Sequence, residues 1–328
     1  MSRTRLATLG LALCLALPAG AEGPTAGPAV TLAFVGDINL DGLPGNLVTR
    51  EGDPFAPFAA LLDGADIRVG NLECVVATSG EPIPNKLYTF RAHPRTLTPL
   101  KRHFDAVSLA NNHSGDFGPA AFGELLALLD RQKIAYFGGG ADLARAHRPL
   151  IVERDGLRVA LLGYDEFLPR SFEADYDRPG VAWSEDEQVQ YDIIEARRRY
   201  GADLVVPFMH WGWENEPVAS PRQRRLARLM IDTGADAVVG SHPHVVQDTE
   251  IYRGRPIVYS LGNFVFDGFT TAANNTGWLL RLDLDREGAR AWRTDVAHLD
   301  GQGIPHPIPT DGACWERGQA EPAPCGAR

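Results

Sequence analysis

The segment Ser241-His242-Pro243-His244 follows a short apolar run and carries two imidazoles two residues apart. In an extended backbone such residues point to the same side, so both rings could face one point. Pro243 fixes its own φ and favours an extended conformation at His242, which predicts that the pair stays extended. Two neutral imidazoles that converge from one rigid segment are half of a transition-metal site. The alternative is a surface loop with two unrelated histidines.

Five further apolar runs resemble buried strands and also lead into polar residues. They cover residues 31–35, 67–69, 106–110, 204–209 and 257–260. The polar residues at or just past their ends are Asp37 and Asn39, Asn71 and Glu73, Asn112 and His113, His210 and Glu214, and Asn263. Because all six apolar runs end in polar residues of this kind, we expect several strands to contribute residues to one site.

The chemistry depends on which of these side chains meet. A carboxylate and three imidazoles suit Zn, Mn, Fe or Co, and an amide oxygen and a second carboxylate could complete the set. The candidate ligands are Asp37, His210, His242 and His244, with Asn112 and Glu73 as additions. One or two divalent ions there could activate a water and polarise a phosphoryl or carbonyl oxygen, which is the core of metal-assisted hydrolysis.

Other residues could support that chemistry. His113 would suit a general acid or a charge stabiliser near the leaving group, and its alternative is a histidine hydrogen-bonded in a turn. Asn263 could orient a ligand or stabilise its own turn. Lys86 and Arg91 lie in the loop between the second and third runs and could hold an anionic substrate, whereas ordinary solvation of both is the alternative.

Helical patterns separate several of the runs. Pro119 can occupy a first turn ahead of apolar residues with the spacing of one buried face, namely Phe122, Leu125, Leu126 and Leu129. Ser184 with Glu187 predicts a capping box, and Ser220 before Pro221 predicts another helix start. Strands that alternate with helices predict an α/β fold with a largely parallel sheet and a site at the strand ends. Residues 277–284 and 289–298 predict an antiparallel pair.

Composition limits the possible partners and the location. A hydrophobic fraction of 44% and a charged fraction of 23% are typical of a globular protein, and the net charge of −10 argues against nucleic acid as a partner.

The basic and apolar stretch that ends in Ala19-Gly20-Ala21 predicts a Sec signal peptide over residues 1–21. No later run is apolar enough for a membrane helix, which predicts an exported, periplasmic or cell-surface protein.

After the signal peptide, we expect a flexible leader over residues 22–28, one domain over residues 29–300 and a Pro- and Gly-rich tail over residues 301–328. In an oxidising compartment Cys314 and Cys325 are expected to pair and pin that tail. Cys74 has no activating base beside it in the sequence and is expected to be a buried thiol.

Six motifs in series carry a resemblance to a known family. They are Gly36-Asp37, Gly70-Asn71-Leu72-Glu73, Asn111-Asn112-His113, His210-Trp211-Gly212 with Glu214, Gly240-Ser241-His242-Pro243-His244 and Ser260-Leu261-Gly262-Asn263-Phe264. From about residue 30 to 266 the chain resembles the bacterial capsule-synthesis CapA family, which is similar to PgsA of poly-γ-glutamate synthesis. The resemblance implies a calcineurin-like metallophosphoesterase fold, a four-layer α/β sandwich of mostly parallel strands.

The resemblance also assigns roles. Asp37 corresponds to the superfamily's first aspartate, and Asn112 and His113 correspond to its Asn-His pair. His210 corresponds to its lone histidine, and His242 and His244 correspond to its final His-x-His. Two positions depart from the pattern, because Asn39 stands where a ligand histidine is usual and Asn71 stands where a bridging aspartate is usual. Glu73 could replace the missing bridge.

Two functions follow from this resemblance. One is a metal-dependent hydrolase or transferase, using Mn, Zn or Fe, that acts on a phosphoester or γ-glutamyl amide of an envelope polymer or its precursor. The other is a non-catalytic accessory protein that binds the polymer for assembly or export. Membrane-bound synthesis components are further partners that the resemblance implies.

Overall fold

A computed structural model describes residues 27–309 and 312–325, so the predicted signal peptide lies outside the described residues. Seven α-helices and two short 3₁₀ helices lie in these ranges. The helices are α1 (Gly42–Thr49), α2 (Ala59–Leu62), α3 (Leu97–His103), α4 (Gly118–Gln132), α5 (Leu143–Ala146), α6 (Asp186–Arg198) and α7 (Pro221–Thr233), and the 3₁₀ helices are Ala56–Phe58 and Pro94–Thr96. No helix in the described ranges is long and apolar enough to cross a membrane.

Twenty strands lie in the same ranges. They are β1 (Ala29–Ile38), β2 (Ile67–Leu72), β3 (Val75–Val76), β4 (Arg91–Ala92), β5 (Ala106–Ser108), β6 (Ala135–Phe137), β7 (Gly139–Gly140), β8 (Leu150–Arg154), β9 (Leu157–Asp165), β10 (Gly180–Val181), β11 (Leu204–His210), β12 (Val238–Ser241), β13 (Thr249–Tyr252), β14 (Arg255–Val258), β15 (Asn263–Val265), β16 (Thr276–Asp285), β17 (Gly288–Leu299), β18 (Pro305–Pro307), β19 (Ala313–Glu316) and β20 (Ala323–Pro324).

Two large sheets form the centre of the fold. The first has the order β20-β19-β17-β16-β1-β2-β5-β6, with β15 beside β1 and β18 beside β17, and the second has the order β13-β14-β12-β11-β9-β8. Parallel pairing joins β15, β1, β2, β5 and β6 in the first sheet and β9, β11, β12 and β14 in the second. Antiparallel strands lie outside these parallel cores, and in the first sheet they come from the C-terminal part of the chain.

Three apolar cores divide the molecule into four layers. One core covers the outer face of the first sheet and buries α4, the second lies between the sheets, and the third buries α6 and α7 against the outer face of the second sheet. Phe34 of β1 and Phe208 of β11 meet edge to face across the central core, with ring centroids 5.6 Å apart. The predicted four-layer α/β sandwich is therefore confirmed.

The element predictions from the sequence are largely confirmed. Each of the six apolar runs contains strand residues, although β5 ends at Ser108 and β14 at Val258, before the runs end. Helix α4 buries the four predicted apolar residues, and Ser220 caps α7 through a capping box with Gln223. The C-terminal pair is the hairpin of β16 and β17, in which Asp285 lies opposite Gly288. The capping box at Ser184 is wrong, because α6 begins one residue later than that pattern requires and Glu185 is its N-cap.

The cysteines have two different environments. Cys314 of β19 and Cys325 form a disulfide, and β19 pairs with β17, so the bond fastens the segment around Cys325 to the first sheet. Cys74 is buried in the outer core of that sheet and is a free thiol. Its burial raises the pKa of the thiol, which keeps it protonated and unreactive.

Candidate metal centre

The strand ends of both sheets supply the polar residues of the centre. In the first sheet, Asp37 of β1 lies in register with Asn71 of β2 on one side and with Asn263 of β15 on the other. In the second sheet, His210 is the last residue of β11, and its register partner on β12 is Ser241. Parallel strands bring their carboxyl ends to one edge, which is why residues far apart in sequence meet here.

The extended conformation predicted for His242-Pro243-His244 is wrong. Strand β12 ends at Ser241, and both histidines have positive φ, 98° at His242 and 56° at His244. The backbone N–H of His242 donates to Oδ2 of Asp37 over 3.2 Å, which helps to hold this uncommon conformation. The two imidazoles still converge, with ring centroids 5.8 Å apart, but they do so through a tight turn.

Two groups of potential ligand atoms share one carboxylate. Glu73, His242 and His244 form the first group and Asp37, Glu73 and His210 form the second, with the ligand atoms of each group within 4.8 Å of one another. Oε1 of Glu73 lies 3.5 Å from Nε2 of His210 and 3.8 Å from Nε2 of His244. Because Glu73 belongs to both groups, its carboxylate lies between the histidines of the first group and the histidine of the second.

The donor set fits a divalent cation. Both carboxylate oxygens of Glu73 and Nε2 of His242 are buried and have no hydrogen-bond partner among the described residues. A buried polar atom without a partner costs roughly 1–3 kcal/mol, and more when it carries a charge. A metal ion bound between the two groups would satisfy these atoms.

Burial sets the protonation of the centre. It raises the pKa of Glu73 well above its usual range, and the carboxylate of Asp37 adds to the shift. Burial lowers the pKa of both His210 and His242 well below the usual range, and the neighbouring imidazoles lower it further. These histidines are therefore neutral at neutral pH, which is the form that binds metals.

Asn71 contacts two candidate ligands through its NH₂ group. Nδ2 donates to Oδ1 of Asp37 over 2.8 Å and lies 3.1 Å from Nδ1 of His210. Its Oδ1 is taken up by Asn111, which donates from Nδ2 over 3.0 Å. Because its NH₂ group and not its oxygen faces Asp37 and His210, Asn71 in this orientation holds candidate ligands and does not offer one to the same point.

Amide oxygens contact two of the imidazoles, and one of them orients its ring. Oδ1 of Asn263 lies 2.8 Å from Nδ1 of His244, which leaves Nε2 of that ring directed toward Glu73. Hydrogen bonds of this kind fix the ring and the tautomer of a metal-binding histidine. Asn112 has a different position, because its Oδ1 lies 2.8 Å from Nε2 of His210, the same ring nitrogen that faces Glu73.

His113 lies beside the donor set in a dyad with Asp116. Nδ1 of His113 is 2.7 Å from Oδ2 of Asp116, and its Nε2 is 4.0 Å from Oε1 of Glu73. Lys86 pairs with Asp116 and donates to the backbone carbonyl of Asn112 over 2.6 Å. Burial lowers the pKa of His113, although Asp116 opposes that shift.

Three predicted residues lie outside the donor set. Oδ1 of Asn39 accepts from the backbone N–H of Asp41 over 3.0 Å and so stabilises the turn after β1. Arg91 donates to the carbonyls of Ser79 and Gly80 over 3.2 and 2.8 Å. Glu214 is exposed and acts on the centre only through its charge, which raises the pKa of Glu73.

The sequence patterns assigned no role to Asp116, Asp165 and Phe167. Asp116 follows His113 by three residues, a spacing that fits a turn and could have indicated the dyad. Asp165 ends β9 in register with His210, so the strand-end pattern could also have found it, and burial raises its pKa to about 7. The ring of Phe167 lies 4.2 Å from that of His242, a contact that no local pattern signals.

The chain is similar to several known proteins. Residues 31–268 match the family described as bacterial capsule synthesis protein PGA_cap. The chain is 31% identical to PGA biosynthesis protein CapA of Bacillus subtilis over 86% of its own length and 74% of the relative's. It is also 31% identical to capsule biosynthesis protein CapA of Bacillus anthracis over 85% and 69%. The NAD nucleotidase of Haemophilus influenzae aligns with a TM-score of 0.47 and 14% identity, over 86% of this chain and 54% of that one.

Proposed function

Because the chain belongs to the bacterial capsule synthesis protein family, we propose that it is an exported, metal-dependent protein that acts on a poly-γ-glutamate type of capsule or envelope polymer. The proposed reaction is hydrolysis or transfer at a phosphoester or a γ-glutamyl amide of the polymer or its precursor. The observation that carries the proposal is a group of three buried atoms, two on Glu73 and one on His242, that have no hydrogen-bond partner among the described residues and lie where two donor groups meet.

Each residue of the centre has a proposed task. Asp37, His210, His242 and His244 would hold one or two ions of Mn, Zn or Fe, and Glu73 would contact both donor groups. A bound divalent ion supplies a Lewis acid and lowers the pKa of a coordinated water. His113 would exchange a proton with the substrate through Nε2, because its Nδ1 is held by Asp116. Lys86 would fix the segment that carries Asn112 and His113.

Metal content and turnover test this proposal together. The mature protein, loaded with Mn, Zn or Fe and dialysed, should retain a stoichiometric ion and should cleave a poly-γ-glutamate or phosphoester substrate. His242→Ala should lower both readouts, whereas His306→Ala, at an exposed position, should change neither. If His242→Ala kept both the bound metal and the turnover of the wild type, the proposal would be contradicted.

Asn71 favours a second candidate function, a non-catalytic accessory protein that binds the polymer and works with membrane-bound synthesis components. The NH₂ group of Asn71 faces Asp37 and His210, and this neutral side chain has no carboxylate that could bridge two metal ions. Turnover on any phosphoester or amide that chelation abolishes would exclude a purely accessory role.

Export and the domain boundaries rest on sequence patterns at the two ends of the chain. We propose that cleavage after Ala21 releases a chain with a short leader, one domain over residues 29–300 and a tail over residues 301–328. N-terminal sequencing of the protein recovered from the cell envelope should begin at Glu22, and retention of Met1 in that material would contradict signal cleavage.

A further inference from the structure

A groove lined by arginine and tyrosine side chains lies where the edges of the two sheets meet. β6 ends the first sheet, β8 ends the second, and the two strands pack against each other. Two cavities of ≈ 670 and ≈ 240 Å³ open beside them and share Arg148, Pro149 and Tyr200. Their lining contains none of the ligand candidates of the metal centre.

Two arginines in this groove have no carboxylate partner among the described residues. The guanidinium carbons of Arg148 and Arg199 lie 6.0 and 5.5 Å from the ring centroid of Tyr200, so both cations flank one aromatic ring. The carboxylates of Asp130 and Glu195 also line the cavities but form no ion pair with either arginine. In a chain with 42 acidic residues and a net charge of −10, two adjacent exposed arginines without ion pairs indicate a place for an external anion.

A buried histidine gives a second, independent indication of a ligand. His147 lines the smaller cavity, and its Nδ1 lies 2.7 Å from Oδ2 of Asp192. Asp192 is fixed in turn by the hydroxyl of Tyr164 over 3.0 Å and by the amide of Gln188 over 2.7 Å. Nε2 of His147 has no hydrogen-bond partner in the described part of the chain and remains available to a bound group.

We propose that this groove binds a polycarboxylate chain at a second contact site, apart from the metal centre. Guanidinium groups recognise carboxylates through charge-assisted, paired hydrogen bonds, and two of them side by side match the repeated carboxylates of one polymer. Tyr200 offers an apolar face to the methylene groups between those carboxylates, and His147 offers one more polar contact. A chain held here would stay attached to the protein that carries the centre, which raises the local concentration of polymer.

This inference rests on the proposed function, because it takes the polymer to be of the poly-γ-glutamate type. Fluorescence polarisation with labelled poly-γ-glutamate of defined length would measure binding to the whole mature protein. Arg148→Ala/Arg199→Ala should bind about tenfold more weakly than the wild type and should show a weaker dependence on salt. The double variant Arg198→Ala/Arg225→Ala removes two exposed arginines outside the groove and should bind within about twofold of the wild type.

The outcomes separate the groove from the centre. His242→Ala should retain polymer binding at the groove even where it loses metal and turnover. Equal losses in the two arginine double variants would overturn the inference, because net charge alone would then explain binding. If the wild type binds the polymer and Arg148→Ala/Arg199→Ala binds it equally well, the inferred groove site is wrong but the proposed function is unaffected. If the wild type does not bind the polymer at all, the polymer part of the proposed function is also contradicted. Far-ultraviolet circular dichroism and melting curves would verify that each variant is folded.

Discussion

Asn71 joins the two sheets at the metal centre by contacting Asp37 of β1 and His210 of β11 with one nitrogen. Nδ2 lies 2.8 Å from Oδ1 of Asp37 and 3.1 Å from Nδ1 of His210. Asn111 fixes the orientation by donating to the amide oxygen. The arrangement positions two candidate ligands without adding another negative charge beside Asp37 and Glu73.

Asn71→Asp should make the stability of the protein more dependent on metal. The new carboxylate cannot donate to Asp37 and would be buried next to two acidic groups, so the metal-free variant should lose about 1–3 kcal/mol of unfolding free energy. A divalent ion would relieve that repulsion, so the added ion should raise the melting temperature more in the variant than in the wild type. Thermal melting with and without Mn or Zn measures both effects.

The control for this variant is Asn46→Asp, at an exposed position of α1. It should melt close to the wild type under both conditions. A metal-free Asn71→Asp that is as stable as the wild type would contradict the arrangement described for Asp37 and His210.

Glu73→Gln should separate stability from metal binding. Glutamine has nearly the same shape but removes a buried acid that has no hydrogen-bond partner among the described residues, so the metal-free protein should keep its stability or gain about 1 kcal/mol. The rise in melting temperature on adding metal should largely disappear, because the carboxylate shared by both donor groups is lost. Calorimetric titration with Mn or Zn would measure the affinity, and an unchanged affinity would contradict the shared role of Glu73.

The strands of the centre could be predicted from the sequence because short runs of apolar residues indicate buried strands. Each of the six apolar runs contains strand residues, and the rule that sites lie at the carboxyl ends of parallel strands correctly placed Asp37, Glu73 and His210 together. Asp165 obeys the same rule at the end of β9, and a stricter application of that rule would have found it.

Features that depend on distant partners could not be predicted. The backbone of His242 departs from the extended form that Pro243 favours, and its N–H bonds to Asp37, which lies 205 residues earlier. The orientation of Asn71 depends on Asn111, which lies on another segment. Local propensity contains neither contact, so tertiary structure decides both.

The segment that leads to Lys86 should be sensitive to acid through Glu124. Hydrogen bonds from Ser79 and Thr78 lower the pKa of this carboxyl on α4 to about 2. Because the folded pKa is below the unfolded one, the stabilisation is present above about pH 4.5 and is lost as the pH falls toward 2. The group is largely solvated, so Glu124→Gln should cost at most about 1 kcal/mol at pH 7.

Urea unfolding at several pH values measures this effect. The difference between the wild type and Glu124→Gln should narrow between pH 5 and about pH 3, whereas Glu81→Gln, at an exposed position before the same loop, should match the wild type throughout. A difference that stays constant over that range would show that the carboxylate does not act through its charge.

Asn263→Ala should weaken metal binding without removing a ligand. Its Oδ1 holds Nδ1 of His244, and its Nδ2 donates to the carbonyl of Asn274 over 2.9 Å, so the ring of His244 would lose the contact that aims it toward Glu73. Loss of such a supporting contact typically lowers metal affinity about 10- to 100-fold. Calorimetric titration of the variant with Mn or Zn measures the affinity, with Asn46→Ala on the surface of α1 as the matched control. If Asn263→Ala bound metal as tightly as that control, Asn263 would serve only the turn in which it lies.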